Sequence, residues 1–287
     1  MLKLAATPIG NLEDITLRVL TALKEADVIY AEDTRHTLQL LNHFGIKKPL
    51  ISCHAHNERQ RVPQMIEALR AGQEIVFVSD AGMPGISDPG ATLAAACVEN
   101  DLPFTVLPGA SAVLTAAVLS GLPCATFSFF GFLPRSGKAR REAIAAIGRC
   151  GRLALLYESP NRVADTLKDL AEALGDLPAA LLRELTKKFE TAVRGTLLTL
   201  ADTFAAEAPK GECVIAVLCG SEGQTASPEE AADALDRVLT EALKEGLRVK
   251  EAAARAAQTL SIPKKTAYAR ALELTTEAEP AETPLIP

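Results

Sequence analysis

The sequence predicts an α/β protein made of two α/β domains, residues 1–118 and 119–220, with a small helical module at residues 221–287. Three observations predict it. From residue 2 to residue 119, short apolar runs of strand length alternate with helical stretches of about ten residues, the pattern of βαβ units around a mainly parallel sheet. After Gly121 the alternation restarts and continues to residue 218. Beyond residue 228 strand patterning ends, and three helical stretches with short turns remain.

Taken in order, residues 2–6 read as a strand ending in Thr7-Pro8-Ile9-Gly10. Asn11, with Asp14 three residues on, reads as the N-cap of a helix running to about Ala26. Residues 27–31 form the second strand, with Glu32-Asp33-Thr34-Arg35 at its carboxyl end and a following helix stopped by Gly45. Residues 50–55 read as the third strand, ending in His54-Ala55-His56-Asn57-Glu58, and a helix with Pro63 near its start leads to the fourth strand, residues 74–78.

The loop that follows, through Ser79-Asp80-Ala81-Gly82-Met83-Pro84-Gly85-Ile86-Ser87-Asp88-Pro89-Gly90, is about twice the usual length of a strand-to-helix connection. Its glycines permit positive φ, and its prolines fix their own φ and hold Met83 and Asp88 out of helix. Such a loop presents backbone groups with little entropy to lose on binding, at the strand end where open α/β sheets bind ligands. A helix over residues 91–99, a strand over 104–107 and the helix start Pro108-Gly109-Ala110-Ser111-Ala112 complete the first half. The loops after residues 6, 31, 78 and 107 are expected to converge on one rim.

In the second half, strands are expected at 125–130, 153–157, 180–185 and 213–218, and helices at 138–147, 161–174 and 197–206. Residues 220–227 read as a polar linker and residues 275–287 as a disordered tail. The three helices between, at 229–245, 250–260 and 264–274, have the spacing of a helix-turn-helix-like module. From Gly246 to Leu272 the charges are Arg248, Lys250, Arg255, Lys264, Lys265 and Arg270 against Glu251 alone, an excess that suits phosphates or, equally, a solvated helix face.

Composition narrows the function. The net charge of -6 argues against a broadly basic nucleic-acid coat, so any RNA or DNA partner must meet a local patch. The longest uncharged apolar-rich run, residues 110–122, is too short for a membrane span, and the first residues lack the pattern of a secretory signal, so a cytoplasmic protein is expected. Six cysteines contain no C-x-x-C pair, and His54 with His56 lacks a further ligand at suitable spacing, so neither a disulfide framework nor a metal is expected.

Seven stretches in order carry a family resemblance: Ala6-Thr7-Pro8-Ile9-Gly10-Asn11-Leu12, Ala31-Glu32-Asp33-Thr34-Arg35, the loop from Ser79 to Gly90, Leu107-Pro108-Gly109-Ala110-Ser111-Ala112, Tyr157-Glu158-Ser159-Pro160-Asn161-Arg162, Arg183-Glu184-Leu185-Thr186-Lys187 and Pro209-Lys210-Gly211-Glu212. Together they resemble the tetrapyrrole (corrin and porphyrin) methylase superfamily, and within it the branch that 2′-O-methylates a cytidine of 16S ribosomal RNA. The resemblance implies S-adenosylmethionine as donor, bound in a cleft between the two α/β domains by Pro8, Gly82, Met83, Ile86, Ser111 and Ala112, with Tyr157 and Lys210 closing from the second domain. It also implies the small ribosomal subunit as partner and a homodimer. The wider superfamily often carries an Asp where this chain has Met83, which leaves that contact to main chain or to Met83 itself.

A neutral ribose hydroxyl is a poor nucleophile, so such a transfer benefits from a general base or a cation beside the developing alkoxide. Asp33 and Arg35 are the first candidates for those roles, with helix capping by Asp33 as the alternative. Glu58, with Asn57 to orient it, is the second, also against capping. Glu184, Lys187 and Glu212 are the third, against ordinary salt bridging.

Overall fold

Five short apolar strands, β1 (Leu2–Ala5), β2 (Val28–Ala31), β3 (Leu50–Ser52), β4 (Ile75–Val78) and β5 (Phe104–Leu107), pair in parallel in the order β3-β2-β4-β1-β5. Helices α1 (Leu17–Glu25), α2 (Thr34–His43), α3 (Glu58–Arg70) and α4 (Ala91–Glu99) connect them. Alternate strand residues point to opposite faces. Ala5, Ile29, Val76 and Val78 pack with Val19, Leu23 and Leu41 of α1 and α2, whereas Leu4, Tyr30, Ile75 and Phe77 pack with Met65, Leu69, Leu93 and Cys97 of α3 and α4. Chain order explains this. Steps β1 to β2 to β3 run one way across the sheet and steps β3 to β4 to β5 the other, so right-handed crossovers put the two helix pairs on opposite faces. Adjacent β1 and β4 therefore send their helices apart, and a crevice opens between their carboxyl ends.

The second sheet is mixed. Strands β6 (Phe127–Phe132), β7 (Leu153–Glu158), β8 (Pro178–Arg183), β9 (Thr191–Thr196) and β10 (Cys213–Leu218) lie in the order β6-β7-β10-β8-β9, with β6–β7 parallel and the other pairs antiparallel. Helices α6 (Gly137–Arg149), α7 (Val163–Leu174) and α8 (Leu197–Ala206) cover one face through Ile147, Leu167, Leu170 and Leu200. Against the other face lies α5 (Ala112–Leu119), whose Val113, Ala116 and Ala117 meet Leu155, Ala180 and Val214. Thus α5 follows the first sheet in the chain but packs on the second, and the boundary drawn from sequence at residue 118 falls inside it. Full burial of a side chain such as Val113 contributes roughly 1.5–3 kcal/mol, so this helix ties the two sheets together.

The structure, a computed structural model, describes residues 1–220, 228–260 and 262–277. Met1–Gly220, containing both sheets, forms one compact unit and Ser221–Pro287 a second. In the second unit α9 (Pro228–Lys244), α10 (Val249–Leu260) and α11 (Lys264–Glu277) close around Leu235, Leu239, Ala252, Ala256 and Ala267, the alanines allowing close helix approach. The expected linker, apart from Gly220, and residues 278–287 of the expected tail lie outside the described residues. Residues 275–277 belong to α11.

Three local expectations change. Asn11 caps only a 3-10 turn, Leu12–Asp14; the helix begins at Leu17, with the Thr16 hydroxyl accepting from Val19 N–H at 3.2 Å. The third strand ends at Ser52, because the Asn57 side chain accepts from His54 N–H at 2.8 Å and draws residues 54–57 into a turn. His54 and His56 therefore share no strand face. Strand β9 escapes the sequence pattern because it is an edge strand, partly exposed and interrupted by Arg194 and Gly195.

Candidate functional site

The loops after β1 and β4 are stitched together in the crevice: Thr7 and Gly82 exchange two backbone hydrogen bonds, each 3.0 Å. Glycine is required at several turns of the β4 loop, where Gly82, Gly85 and Gly90 all take positive φ. At Gly90 the constraint is also steric, since a Cβ there would lie 3.1 Å from Gly85 N, Phe77 Cε1 and Pro84 Cβ. Ser87, a non-glycine residue, is held at φ 65°, and strain of this kind persists where surrounding structure enforces it.

Between this rim and the second sheet lies a cavity of about 400 Å³. The first sheet contributes Ile9 from the β1 loop, Ala81, Gly82, Met83, Ile86, Ser87 and Asp88 from the β4 loop, and Ser111 and Ala112 at the start of α5. The second sheet contributes Phe132, Tyr157, Glu158, Ser159, Leu185, Gly211 and Glu212 among others. The two walls interlock. A Cβ on Gly10 would lie 2.5 Å from Lys187 Cγ, and one on Gly131, in the bulge of β6, 3.2 Å from Ser87 Oγ.

Tyr157 stands between Phe129 and Phe132, ring centroids 4.8 and 5.5 Å away. Burial, and then the charges of Asp88 and Glu212, push its hydroxyl up to about 12, so it stays protonated and able to donate. Glu158 is almost fully buried but well satisfied: it accepts from Ser159 N–H at 2.8 Å and Thr166 hydroxyl at 2.7 Å, with Arg162 at 3.4 Å. Arg140 continues this network from Thr166 to Asp169. Asp88 is pushed up to about 6 by burial and by the nearby charges of Glu32 and Asp80.

Of the residues expected to bind the donor, Gly82, Met83, Ile86, Ser111, Ala112 and Tyr157 are brought together on this cavity. Pro8 instead lines a neighbouring hollow with Leu12, His36, Gln39 and His43, across the Thr7–Gly82 bridge. Lys210 lies in another hollow with Arg183 and Phe204, its carbonyl accepting from Arg183 at 2.9 Å; the next two residues, Gly211 and Glu212, reach the cavity in its place.

The expected catalysts are disposed differently. Asp33 is the N-cap of α2 and is gripped by Arg35 through two side-chain hydrogen bonds of 3.1 and 2.7 Å. That guanidinium holds the carboxyl far below the usual carboxylate range, which makes Asp33 a poor proton acceptor. Glu58 is buried, and its Oε1 accepts from Gly90 N–H at 2.8 Å, so it clamps the β4 loop rather than facing a ligand as a base. Glu184 accepts from Glu212 N–H and Lys187 Nζ, both at 3.0 Å, and Lys187 also pairs with Glu212 at 3.1 Å, the salt-bridging alternative. Asp88 also lines the cavity, and its sequence signal is a carboxylate inside a glycine- and proline-rich loop at a strand end. Among the described residues no group of three His, Cys, Asp or Glu is placed to hold a metal.

In the helical unit, Arg248, Lys250, Lys264 and Lys265 are exposed. Arg255 pairs with Glu245, and Arg270 holds Asp236 through two hydrogen bonds, one of 2.7 Å, with Glu273 also at 2.7 Å.

Comparison with known proteins agrees with this architecture. Proteins named ribosomal RNA small subunit methyltransferase I are similar along nearly the whole chain: that of Halalkalibacterium halodurans is 42% identical over 270 residues, covering 93% of each chain, and that of Synechocystis 41% over 276 residues, covering 96% of this chain and 98% of the relative. Among solved structures, diphthine synthase superposes with a TM-score of 0.59 at 19% identity, covering 76% of this chain and 88% of that one. A uroporphyrin-III C-methyl transferase from Thermus thermophilus, complexed with S-adenyl homocysteine, does so with 0.54 at 19%, covering 75% and 96%. Both show the shared fold. Residues 229–275 match the RsmI C-terminal HTH domain. Residues 1–201, which hold both walls of the cavity except the Gly211–Val214 edge, match the Tetrapyrrole (Corrin/Porphyrin) Methylases, and the chain belongs to that family.

Proposed function

We propose that the protein is an S-adenosylmethionine-dependent methyltransferase that modifies the ribose 2′-hydroxyl of a cytidine in 16S rRNA of the small ribosomal subunit. The observation that carries the reading is the cavity at the crevice of the parallel sheet, in a chain similar over more than nine-tenths of its length to proteins named ribosomal RNA small subunit methyltransferase I. Its volume lies in the range, roughly 300–1,000 Å³, of pockets that enclose small ligands. Small residues at Ala81, Gly82 and Ala112 allow close approach to backbone, and Ser111 and the N-terminus of α5 suit a carboxylate. Bound there, the donor supplies an electrophilic methyl group on a sulfonium.

The chain's own residues do the rest. Met83 and Ile86 pack the apolar parts of the donor, and the Tyr157 hydroxyl donates from the second wall. Arg35, exposed on the rim after β2, meets an RNA phosphate while Asp33 orients it. Arg248, Lys250, Lys264 and Lys265 hold further phosphates, and Arg255 and Arg270 brace the helices that carry them. A second copy of the chain covers apolar side chains left exposed on β5 and α5, Phe104, Val106, Leu114 and Val118, to form a homodimer. No helix among the described residues is long and apolar enough to cross a membrane, which accords with work in the cytoplasm.

Incubation with small subunits lacking the modification and a labelled donor, followed by mapping, is expected to place one label on a cytidine ribose of 16S rRNA. No label, or a label on a base, overturns the proposal.

A further inference from the structure

Three carboxylates lie on the cavity wall, Asp88, Glu158 and Glu212, and they differ in what holds them. Glu158 has partners on both oxygens, from Ser159, Thr166 and Arg162. Glu212 pairs with Lys187 at 3.1 Å. Among the described residues, no hydrogen bond or ion pair holds the Asp88 side chain. Its backbone is constrained on both sides: Ser87 before it takes φ 65° close to Gly131 of β6, and Pro89 follows it.

We infer that Asp88 is the catalytic base of the transfer, the group that takes the proton from the attacking hydroxyl. This rests on the ribose-methylation reading and deepens it. As the hydroxyl oxygen forms its bond to the methyl carbon, its proton passes to an Asp88 carboxylate oxygen; the carbon–sulfur bond breaks with its electron pair left on sulfur, which becomes a neutral thioether. The proton then leaves to solvent.

The surroundings suit the task. The charged and titratable groups acting on Asp88 are Glu32 from the loop after β2, Asp80 from its own loop and Tyr157 from β7, with Glu212 acting on Tyr157 beyond. None is a cation. Burial and these charges lift Asp88 to about 6, high enough to accept a proton readily and low enough to be mostly ionised at neutral pH. Activity therefore rises with pH through about 6 and levels above it.

The test uses the full-length protein and three measurements. Asp88→Asn is expected to lower kcat by about 10²-fold or more. Its donor dissociation constant, measured by calorimetry, should change by less than about threefold, and the lower limb of the pH–rate profile should vanish. Carboxyl-carbon NMR of the unliganded protein should show one group titrating near 6 that is absent from the variant. Thermal unfolding checks that the variant folds; if it does not, the NMR titration and the wild-type pH profile decide, and a titration in the ordinary carboxylate range overturns the inference. So does a loss of donor affinity as large as the loss of rate, which would make Asp88 a donor contact only. Wild-type transfer that Asp88→Asn leaves unchanged overturns this inference alone, whereas no ribose transfer by the wild type overturns the ribose reading and this inference with it.

Discussion

The rim after β2 and the loop after β4 each carry aspartates, yet structure gives them opposite properties. Asp33 is partly exposed and gripped by Arg35, which drives its acidity up; Asp88, two strands' loops away in sequence, is half-buried beside like charges, which drive its acidity down. The same contrast separates Glu58, whose carboxylate holds Gly90 N–H, from the open carboxylate that Gly90's loop presents. Residue type nominates a base, but neighbours decide whether its charge is already committed.

Several substitutions break or sharpen that contrast, and Asp88→Asn, described above, should have the largest effect on rate. Next is Gly90→Ala, which forces a side chain into a φ of 130° against three atoms at 3.1 Å. It should cost about 3 kcal/mol in denaturant unfolding and abolish measurable donor binding. Smaller is Glu58→Ala, which strands a buried N–H and should cost about 1–3 kcal/mol. Glu58→Gln retains an acceptor for Gly90 and should keep kcat within about threefold, whereas a general base at this position would lose about 10²-fold or more. Smaller still is the combined Lys264→Ala, Lys265→Ala change, which should weaken subunit binding and reduce the slope of log affinity against log salt by about 1–2. Arg270→Ala should instead lower the stability of the helical unit by about 1 kcal/mol or less, because the pair is partly exposed. The smallest effect belongs to Asp33→Asn, which still caps α2 and should change kcat by less than about threefold; a large loss there would restore Asp33 as a catalyst.

The Asp236–Arg270 pair also sets a pH signature. Arg270 holds Asp236 below its ordinary value, so the stabilisation is present above the unfolded-state pKa and is lost as pH falls through the depressed folded-state value. Asp88 runs the other way. Its raised value means that folding binds its proton more tightly, so the stability this contributes is present below the unfolded-state pKa and is lost as pH rises from there to about 6, where the gain in activity is centred.

Much of the first sheet was legible because each of its signals is local. Apolar runs at residues 28–31 and 75–78, punctuation by Gly45, and the glycines and prolines of the β4 loop act through the backbone's own sterics. The second sheet was less so: its mixed pairing and the polar edge strand β9 depend on partners distant in sequence. Asn11 misled for a related reason. A short amide side chain caps a helix, a 3-10 turn or a tight turn equally well, and the packing of the next apolar residues chooses.

From the sequence alone came the α/β alternation and the stiff glycine-bearing loops, because periodicity and φ restrictions belong to the chain itself; the family and six of the residues on the cavity wall came from the resemblance that its motifs carry. Only the tertiary structure decided that α5 crosses to the second sheet, that Pro8 and Lys210 line other hollows, and which carboxylates are committed. Those outcomes depend on burial and charge at distances of a few ångströms between residues far apart in the chain, where a single guanidinium or amide N–H determines whether an acidic side chain can still accept a proton.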